Sequence, residues 1–204
     1  MNVNQTLDGG ATPTRALQIS PCSLLEIREF VETNHYSRSV NGVTTRQCFK
    51  VEMDNELVGA VIFGPMATTA WRKFGSSEEK VIELRRLVLL DRVPKNSESK
   101  VIGYTLRQIR KLLPLTEIVV SYADPRFGHC GTIYKASNFK YLGVSSPDSG
   151  YRDTETGKVY HSRSLRVKYK GDFKPFVKKL RAKLALGLLE KVPLPPKHCF
   201  VYYL

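Results

Sequence analysis

Val81-Ile-Glu-Leu-Arg-Arg-Leu-Val-Leu-Leu90 is the stretch that decides the fold, because its apolar side chains are numerous enough for a long strand. The polar segment 91–98 separates it from residues 99–113, where Ile102, Leu106, Ile109 and Leu113 recur at helical spacing. Ile118–Ala123 is again apolar, as expected for a central strand. The order strand, helix, strand predicts a mixed sheet with helices packed on it.

The residues before this stretch predict a helix and a hairpin. Ser23 and Glu26 have the spacing of a capping box, so a helix is expected from there to about residue 33. In segment 47–53 apolar and polar residues alternate, and segment 57–63 is a nearly continuous apolar run. The turn Asp54-Asn55 lies between them, so two antiparallel strands are predicted. Residues 1–20 lack periodicity, and we expect them to form a flexible N-terminal arm.

The residues after it predict smaller elements and a basic tail. A short helix is expected over 132–137, a strand over 139–142 and a hairpin over 151–167. Segment 172–192 combines Phe and Leu at helical spacing with many Lys and Arg residues, which predicts a basic amphipathic helix. We therefore expect an α/β (α+β) fold in which residues 21–204 form a single domain that includes this helix.

The charge of the chain indicates its partners. Among 204 residues there are 32 Lys and Arg against 19 Asp and Glu, a formal net charge of +13. Such an excess favours nucleic acid, or an anionic membrane surface, as partner, although a basic surface that binds nothing is the alternative. No apolar run approaches about 20 residues, so no transmembrane helix is expected.

The four cysteines do not predict a disulfide or a zinc site. Cys22, Cys48, Cys130 and Cys199 are far apart and form no C-x-x-C pair. Because the N-terminus also lacks the apolar segment of a signal peptide, we expect free thiols in a reducing cytoplasm.

Several motifs together resemble the N-acetyltransferase superfamily, known as the GNAT fold. The similar residues are Glu83-Leu-Arg-Arg-Leu-Val-Leu89, Ser99-Lys-Val-Ile-Gly103 and Ile133-Tyr-Lys-Ala-Ser-Asn-Phe139. Within that superfamily the chain is most similar to the Mom family of phage proteins. This closer resemblance is carried by His35-Tyr36, Glu83–Arg86, Ser99, Tyr122-Ala-Asp-Pro125, Gly128-His129, Gly131-Thr-Ile-Tyr134 and the tail Pro193-Leu-Pro-Pro-Lys-His198.

The resemblance implies a fold and an activity. The fold would be a GNAT-like mixed, splayed sheet flanked by helices, to which the basic C-terminal helix is added. Mom proteins convert adenine in phage DNA to an N6-carbamoylmethyl form that protects it from host restriction enzymes. The expected function is therefore modification of adenine N6 in double-stranded DNA in the host cytoplasm.

Four residues are the predicted catalytic groups. Asp124 follows the apolar strand 118–123 and could accept a proton from adenine N6 or hold the amine, or else simply turn the loop. Tyr134 could donate a proton to a leaving group or stack on a base, or only pack in the interior. His35 and Tyr36 stand where substrate enters this fold, and a solvent-exposed helix end is the alternative.

At the donor site the sequence departs from the GNAT pattern. GNAT enzymes bind the pyrophosphate of coenzyme A with R/Q-x-x-G-x-G/A at a helix start, and this chain keeps only Gly103, with Glu98 and Val101 at the other positions. The fold implies an acyl-CoA-type donor, but Arg86, Ser99, Lys100 and Gly103 could bind a smaller anionic or polar donor. Carboxylate and imidazole groups also suit iron, for which His35, Asp124 and His129 are the candidate ligands.

The predicted DNA contacts are basic side chains. They are Arg72, Lys73, Arg126, Lys174, Lys178 and Arg181, which could follow a phosphate backbone. Chemistry on N6 generally needs the adenine turned out of the duplex into a pocket. Two alternatives stay open: an acetyl-CoA-dependent N-acetyltransferase of a protein or small amine, and an inactive GNAT-fold protein that only binds DNA. The oligomeric state, including a homodimer, is not fixed by the sequence.

Overall fold

In the computed structural model, which describes residues 16–67, 69–75 and 77–204, the chain divides into two units. The first unit comprises the residues up to Val120 together with Tyr202–Leu204, and the second comprises Ser121–Val201. The single domain expected for residues 21–204 stays a prediction. The boundaries fall inside two strands, because the chain passes from one unit to the other near residues 120 and 201.

The first unit contains a sheet built from the predicted strands. Its strands are β1 (Gln18–Cys22), β2 (Gln47–Met53), β3 (Glu56–Pro65) and β4 (Val81–Leu89), followed in the strand order by β5 (Ile118–Ala123). The pairs β1–β2, β2–β3 and β3–β4 are antiparallel. The β2–β3 turn is made by Asp54 and Asn55, whose φ values of 54° and 63° suit a tight two-residue hairpin turn.

Two helices cover this sheet. α1 (Leu24–Asn34) begins at the predicted capping box, in which Ser23 and Glu26 bond each other's backbone N–H. Ile27 and Val31 of α1 pack with Ile62 of β3 in one buried cluster. α2 (Ser97–Leu112) lies between β4 and β5 in the chain and packs against β4 as well as β1 and β2. The predicted strand–helix–strand arrangement around residues 81–123 is therefore confirmed.

The second unit contains smaller elements. They are α3 (Thr132–Ala136), β6 (Lys140–Val144), β7 (Asp148–Asp153), β8 (Val159–His161), β9 (Lys168–Tyr169), β10 (Asp172–Phe173), α4 (Pro175–Ala185), β11 (Leu189–Leu194) and β12 (His198–Tyr203). Strand β7 lies between β11 and β8, and β12 pairs with β6; all of these pairs are antiparallel. Leu180 of α4 forms a small buried cluster with Leu165 and Leu189.

Two sequence predictions are corrected here. Residues 18–20 belong to β1 and pair with β2, so the arm expected over 1–20 is wrong at that end; residues 1–15 lie outside the described residues. The basic helix expected over 172–192 is only α4, because the chain turns at Gly187 with a φ of 72° and then forms β11. Pro193 is compatible with β11 because that strand is at the edge of its sheet.

None of the helices in the part of the chain that the structure describes is both long and apolar enough to cross a membrane.

Candidate active site

Asp124 lies at the end of β5 and is held by two cations. Its side chain caps the 3₁₀ turn Pro125–Phe127 by accepting the backbone N–H of Arg126 at 3.1 Å. The Arg126 guanidinium donates from Nε to Oδ1 at 3.0 Å and from Nη2 to Oδ2 at 2.7 Å. Lys197 Nζ lies 3.4 Å from the same Oδ2. The residue is only 2% exposed, so this carboxylate is a buried centre for two basic side chains.

These contacts determine the proton affinity of Asp124. Burial raises the pKa of the carboxyl, but the hydrogen bonds from Arg126 and the charge of Lys197 outweigh it and lower the pKa to about 2. The group is therefore ionised at neutral pH and is a weak proton acceptor while Arg126 stays in place. A role in accepting a proton from an amine remains a prediction, and it requires that the guanidinium move off the carboxylate.

Tyr134 packs in the interior of the second unit. Its ring lies 5.5 Å from that of Phe139 and 5.3 Å from that of Phe200. The helix α3 that carries it starts at Gly131, where a Cβ would lie 2.2 Å from the Phe200 ring and where φ is 79°. Only glycine fits this approach. The packing alternative for Tyr134 is thus visible in the structure, and its proton-donor role remains a prediction.

Three residues that were not predicted from the sequence are linked to Asp124, either by direct contact or through a neighbouring residue. Lys197 contacts the carboxylate. Nδ1 of the next residue, His198, forms a hydrogen bond of 3.0 Å with the hydroxyl of Tyr141. Tyr141 is 48% exposed on β6. The only signal for Lys197 and His198 was their place in the tail 193–198, because their contacts depend on the pairing of β12 with β6.

His35 and Tyr36 lie in the first unit, just after α1. His35 is buried, and its Nδ1 accepts the backbone N–H of Ser37 at 3.1 Å, which assigns the ring proton of the neutral form to Nε2. The ring of Tyr36 lies 4.1 Å from that of His35 and is 44% exposed. The pair is therefore an exposed phenol supported by a buried imidazole.

Arg86 lies on β4 in the same unit. Its Nη1 donates to the carbonyl of Arg85 at 2.7 Å, whereas its Nε is buried and has no hydrogen-bond partner among the described residues. Burial lowers the pKa of Arg86, while Tyr36 and Glu83 act in the opposite direction. A buried donor without a partner costs about 1–3 kcal/mol, so this nitrogen is suited to a bound acceptor.

The predicted DNA-binding residues differ in exposure and in their contacts with other side chains. Arg72 and Lys73 are exposed in the 3₁₀ turn Ala70–Lys73, with Arg72 over the Trp71 ring at 5.4 Å. Around α4, Lys178 pairs with Asp172 at 2.5 Å, and Arg181 lies over the Phe173 ring at 4.5 Å. Lys174 is the N-cap residue of α4.

Comparison with known proteins assigns the family. A model of the Mom protein family matches residues 16–204. The chain belongs to the Mom protein family. It is 33% identical over 162 residues to the methylcarbamoylase mom of Escherichia phage Mu, a match that covers 78% of this chain. That match spans 65% of the phage Mu protein, less than two thirds of its length.

Solved structures confirm the GNAT-like fold of this Mom family member. A candidate acetyltransferase from Acinetobacter baylyi ADP1 is similar with a TM-score of 0.53 and 6% identity, covering 95% of this chain and 94% of that one. An aminoglycoside acetyltransferase in complex with coenzyme A and kanamycin has a TM-score of 0.50 and 10% identity, covering 64% of this chain and 88% of that one. At these identities the similarity is one of fold alone.

The start of α2 tests whether this Mom family member could bind coenzyme A in the GNAT manner. The Ser99 hydroxyl donates to the carbonyl of Asn96 at 3.0 Å, the Val101 side chain is buried, and Glu98 places a carboxylate in the first turn. At Gly103 a Cβ would meet only Arg107 Nη1 at 3.7 Å, so nothing in the protein requires glycine there. This helix start lacks the close-approach glycine at residue 101 and carries an acidic residue, so it does not fit a pyrophosphate.

The iron candidates are not supported. Among residues 16–67, 69–75 and 77–204 there is no group of three or more His, Cys, Asp or Glu side chains placed to hold a metal ion. His129 is exposed, in contrast to the buried His35 and Asp124.

Proposed function

We propose that this protein attaches a carbamoylmethyl group to N6 of adenine in double-stranded DNA, within the cytoplasm of a phage-infected host. The proposal is carried by the match of residues 16–204 to the Mom protein family, together with 33% identity to the phage Mu methylcarbamoylase. The formal net charge of +13 supports a polyanionic substrate.

The reaction has a simple requirement at the acceptor. N6 forms a bond to the methylene carbon of the incoming group and gives up one proton, while the bond from that carbon to the rest of the donor breaks and the donor remnant leaves with the bonding electron pair. N6 is a poor nucleophile because its lone pair is delocalised into the ring, so the enzyme must position it and assist proton loss. Adenine must also leave the base stack, at a cost of a few kcal/mol.

Accessibility separates the four predicted catalytic residues. Asp124, Tyr134 and His35 are at most 9% exposed, whereas Tyr36 is 44% exposed. We assign Tyr36 to stacking on the extruded adenine and His35 to orienting the phenol ring, which it contacts at 4.1 Å. Asp124 and Tyr134 remain proposed participants, but each would need a change in its surroundings before it could touch substrate.

Arg86 is the proposed donor-binding residue. The Nε of Arg86 is buried without a partner among the described residues, so it would bind a carbonyl oxygen of the donor once the surrounding side chains make room for it. Ser99, Lys100 and Gly103 at the start of α2 are proposed to face the same donor. Because Glu98 stands in that turn, the donor we propose is polar and carries less negative charge than coenzyme A.

Mass spectrometry of nucleosides tests the proposal. The full chain is expressed in bacteria, plasmid DNA is digested to nucleosides, and a deoxyadenosine heavier by one carbamoylmethyl group is the expected product. An Arg86→Gln variant should lose this product while keeping the DNA affinity of the unaltered protein. Unmodified deoxyadenosine alone would overturn the proposal; acetylation of amines by the same sample would then favour an N-acetyltransferase, and DNA binding without any product would favour an inactive binding protein.

A further inference from the structure

In the second unit, a set of side-chain contacts and one peptide bond, that between Lys197 and His198, links two exposed aromatic rings through two cations. Phe127 is 47% exposed, and the guanidinium of Arg126 lies 5.6 Å from its ring centroid. Arg126 and Lys197 both contact Oδ2 of Asp124, at 2.7 Å and 3.4 Å. Tyr141, at the other end, is 48% exposed and bonds His198, the neighbour of Lys197 in the chain. We call these six residues the aromatic–cation strip.

Counted over its own six residues, the strip contains two cations and one carboxylate. Asp124 stays ionised at neutral pH because its pKa is lowered to about 2, so two cations share one anion. The side chains of Arg126 and Lys197 are 31% and 39% exposed, whereas that of Asp124 is 3% exposed. A fixed carboxylate therefore holds two partly exposed cations near one another, and a monoanion bound between them would balance their charge.

The ends of the strip offer surfaces for flat rings. The Tyr141 ring packs against two other rings, those of Phe200 and His198, whose centroids lie 5.2 and 5.7 Å away. A ring that is already immobilised loses little conformational entropy on binding. Aromatic rings next to cations are the combination with which proteins bind unpaired nucleic-acid strands, since any base can stack on a ring while the cations hold the phosphate.

We propose that the aromatic–cation strip binds an unpaired DNA strand, with one phosphodiester between Arg126 and Lys197 and bases on Phe127 and Tyr141. A phosphodiester carries a single negative charge and has a base on each side along the strand, which is the order of the strip. Bases in an intact duplex are stacked on each other and cannot lie on these rings, so the strip is selective for DNA that has opened. Asp124 is then a positioning residue that holds the side chains of Arg126 and Lys197 in place.

The inference deepens the proposed function, because a strand opened around an extruded adenine is what such a strip would hold. The strand-binding inference and the proposed function can be tested separately. Strand binding is read by fluorescence anisotropy with a labelled single-stranded oligodeoxynucleotide and with the matched duplex, whereas modification is read by nucleoside mass spectrometry.

The variants are Lys197→Gln, Tyr141→Ala and Tyr141→Phe, with Lys191→Gln as the control. Lys191 is an exposed residue of β11 in the same unit, so its replacement removes the same charge outside the strip. Tyr141→Ala should weaken single-strand binding at least about 5-fold, the lower end of the loss expected for one stacked base. Tyr141→Phe should stay within about 2-fold of the unaltered protein, since the ring is kept.

Lys197→Gln should lower the slope of log affinity against log salt by about 0.7 on the single strand. Equal behaviour of Lys197→Gln and Lys191→Gln, or equal losses in Tyr141→Ala and Tyr141→Phe, would overturn the inference. If the strip variants lose strand binding but the unaltered protein yields no modified deoxyadenosine, the strand-binding inference is supported and the proposed function is overturned. If the unaltered protein yields modified deoxyadenosine but every variant keeps its strand binding, the proposed function is supported and the strand-binding inference is overturned.

Discussion

At the scale of the residue, Asp124 shows how burial and hydrogen bonding compete. Its carboxylate loses most of its water, which alone would raise the pKa, yet the Arg126 hydrogen bonds and the charge of Lys197 lower it to about 2. A general base for an amine would need the opposite balance. The geometry therefore favours an electrostatic and positioning role for Asp124 over proton transfer.

The stability of the protein should depend on this carboxylate at acid pH. The pKa falls from 3.8 to about 2 on folding, so the folded state gains about 2 kcal/mol at neutral pH. Because the folded pKa is depressed, this gain is present above the unfolded value and is lost as the pH falls from about 5 towards 2. Denaturant unfolding of the protein and of Asp124→Asn, from pH 7 to pH 3, should show the difference in their free energies of unfolding shrinking below about pH 5. A difference that stays constant over the series would contradict the depressed pKa.

Tyr36 gives a second prediction for a single residue. If its exposed ring stacks on adenine, Tyr36→Phe should keep most of the modification activity, whereas Tyr36→Ala should lose about 5-fold or more. The measurement is the amount of modified deoxyadenosine per protein in cells that express each variant. Equal losses in the two variants would assign the role to the hydroxyl and not to the ring. Tyr203, which is also exposed at 56%, gives a matched Tyr→Ala control.

At the scale of the element, one ion pair with a buried carboxylate and a partly exposed lysine anchors α4 to β7. Lys183 Nζ lies 2.6 Å from Asp153 Oδ2 and 2.8 Å from Glu155 Oε2. Asp153 is buried and also accepts the backbone N–H groups of Glu155 and Thr156 at 3.0 and 3.2 Å. One carboxylate thus fixes both the β7–β8 turn and the last part of the basic helix.

Breaking this ion pair should destabilise α4, whereas breaking an ion pair at the surface should have a much smaller effect. Asp153→Asn leaves Lys183 without its buried partner, so amide hydrogen exchange should accelerate over Pro175–Ala185 and the melting temperature should fall. Asp172→Asn is the control, because its pair with Lys178 is at the surface, with side chains 69% and 57% exposed. The same acceleration in both variants would show that the buried pair does not anchor the helix.

The elements also show what the sequence could and could not predict. Alternation over 47–53 and the capping box at Ser23 are local signals, so the hairpin and α1 were predicted correctly. The tail helix was extended too far because Leu184 and Leu188 keep a four-residue spacing past Gly187, where the backbone in fact turns. The Asp124–Lys197 contact and the Tyr141–His198 bond were not predictable, because they join segments more than 50 residues apart whose strand register only the fold sets.

At the scale of the whole molecule, the excess of positive charge is the property that matters for a polyanionic substrate. Some of the cations are paired with carboxylates within the protein, as in the pairs Lys50–Glu52 and Lys80–Glu117, at 3.0 and 2.6 Å. Arg72 and Lys73 are exposed, and no ion pair involving either is present among the described residues. Equal formal charges therefore need not contribute equally to DNA binding.

Salt dependence separates these two classes of cation. Replacing Arg72 and Lys73 by Gln, or Lys50 and Lys80 by Gln, lowers the net charge of +13 by two in either case. If Arg72 and Lys73 each release a counterion from duplex DNA, their loss should lower the slope of log affinity against log salt by about 2, since each phosphate contact contributes about 0.9. The Lys50/Lys80 variant should change the slope much less, because both cations already have carboxylate partners. Titrations of one duplex at four or more salt concentrations measure the slopes, and identical decreases in the two variants would show that total charge, and not the exposed turn at 70–73, governs binding.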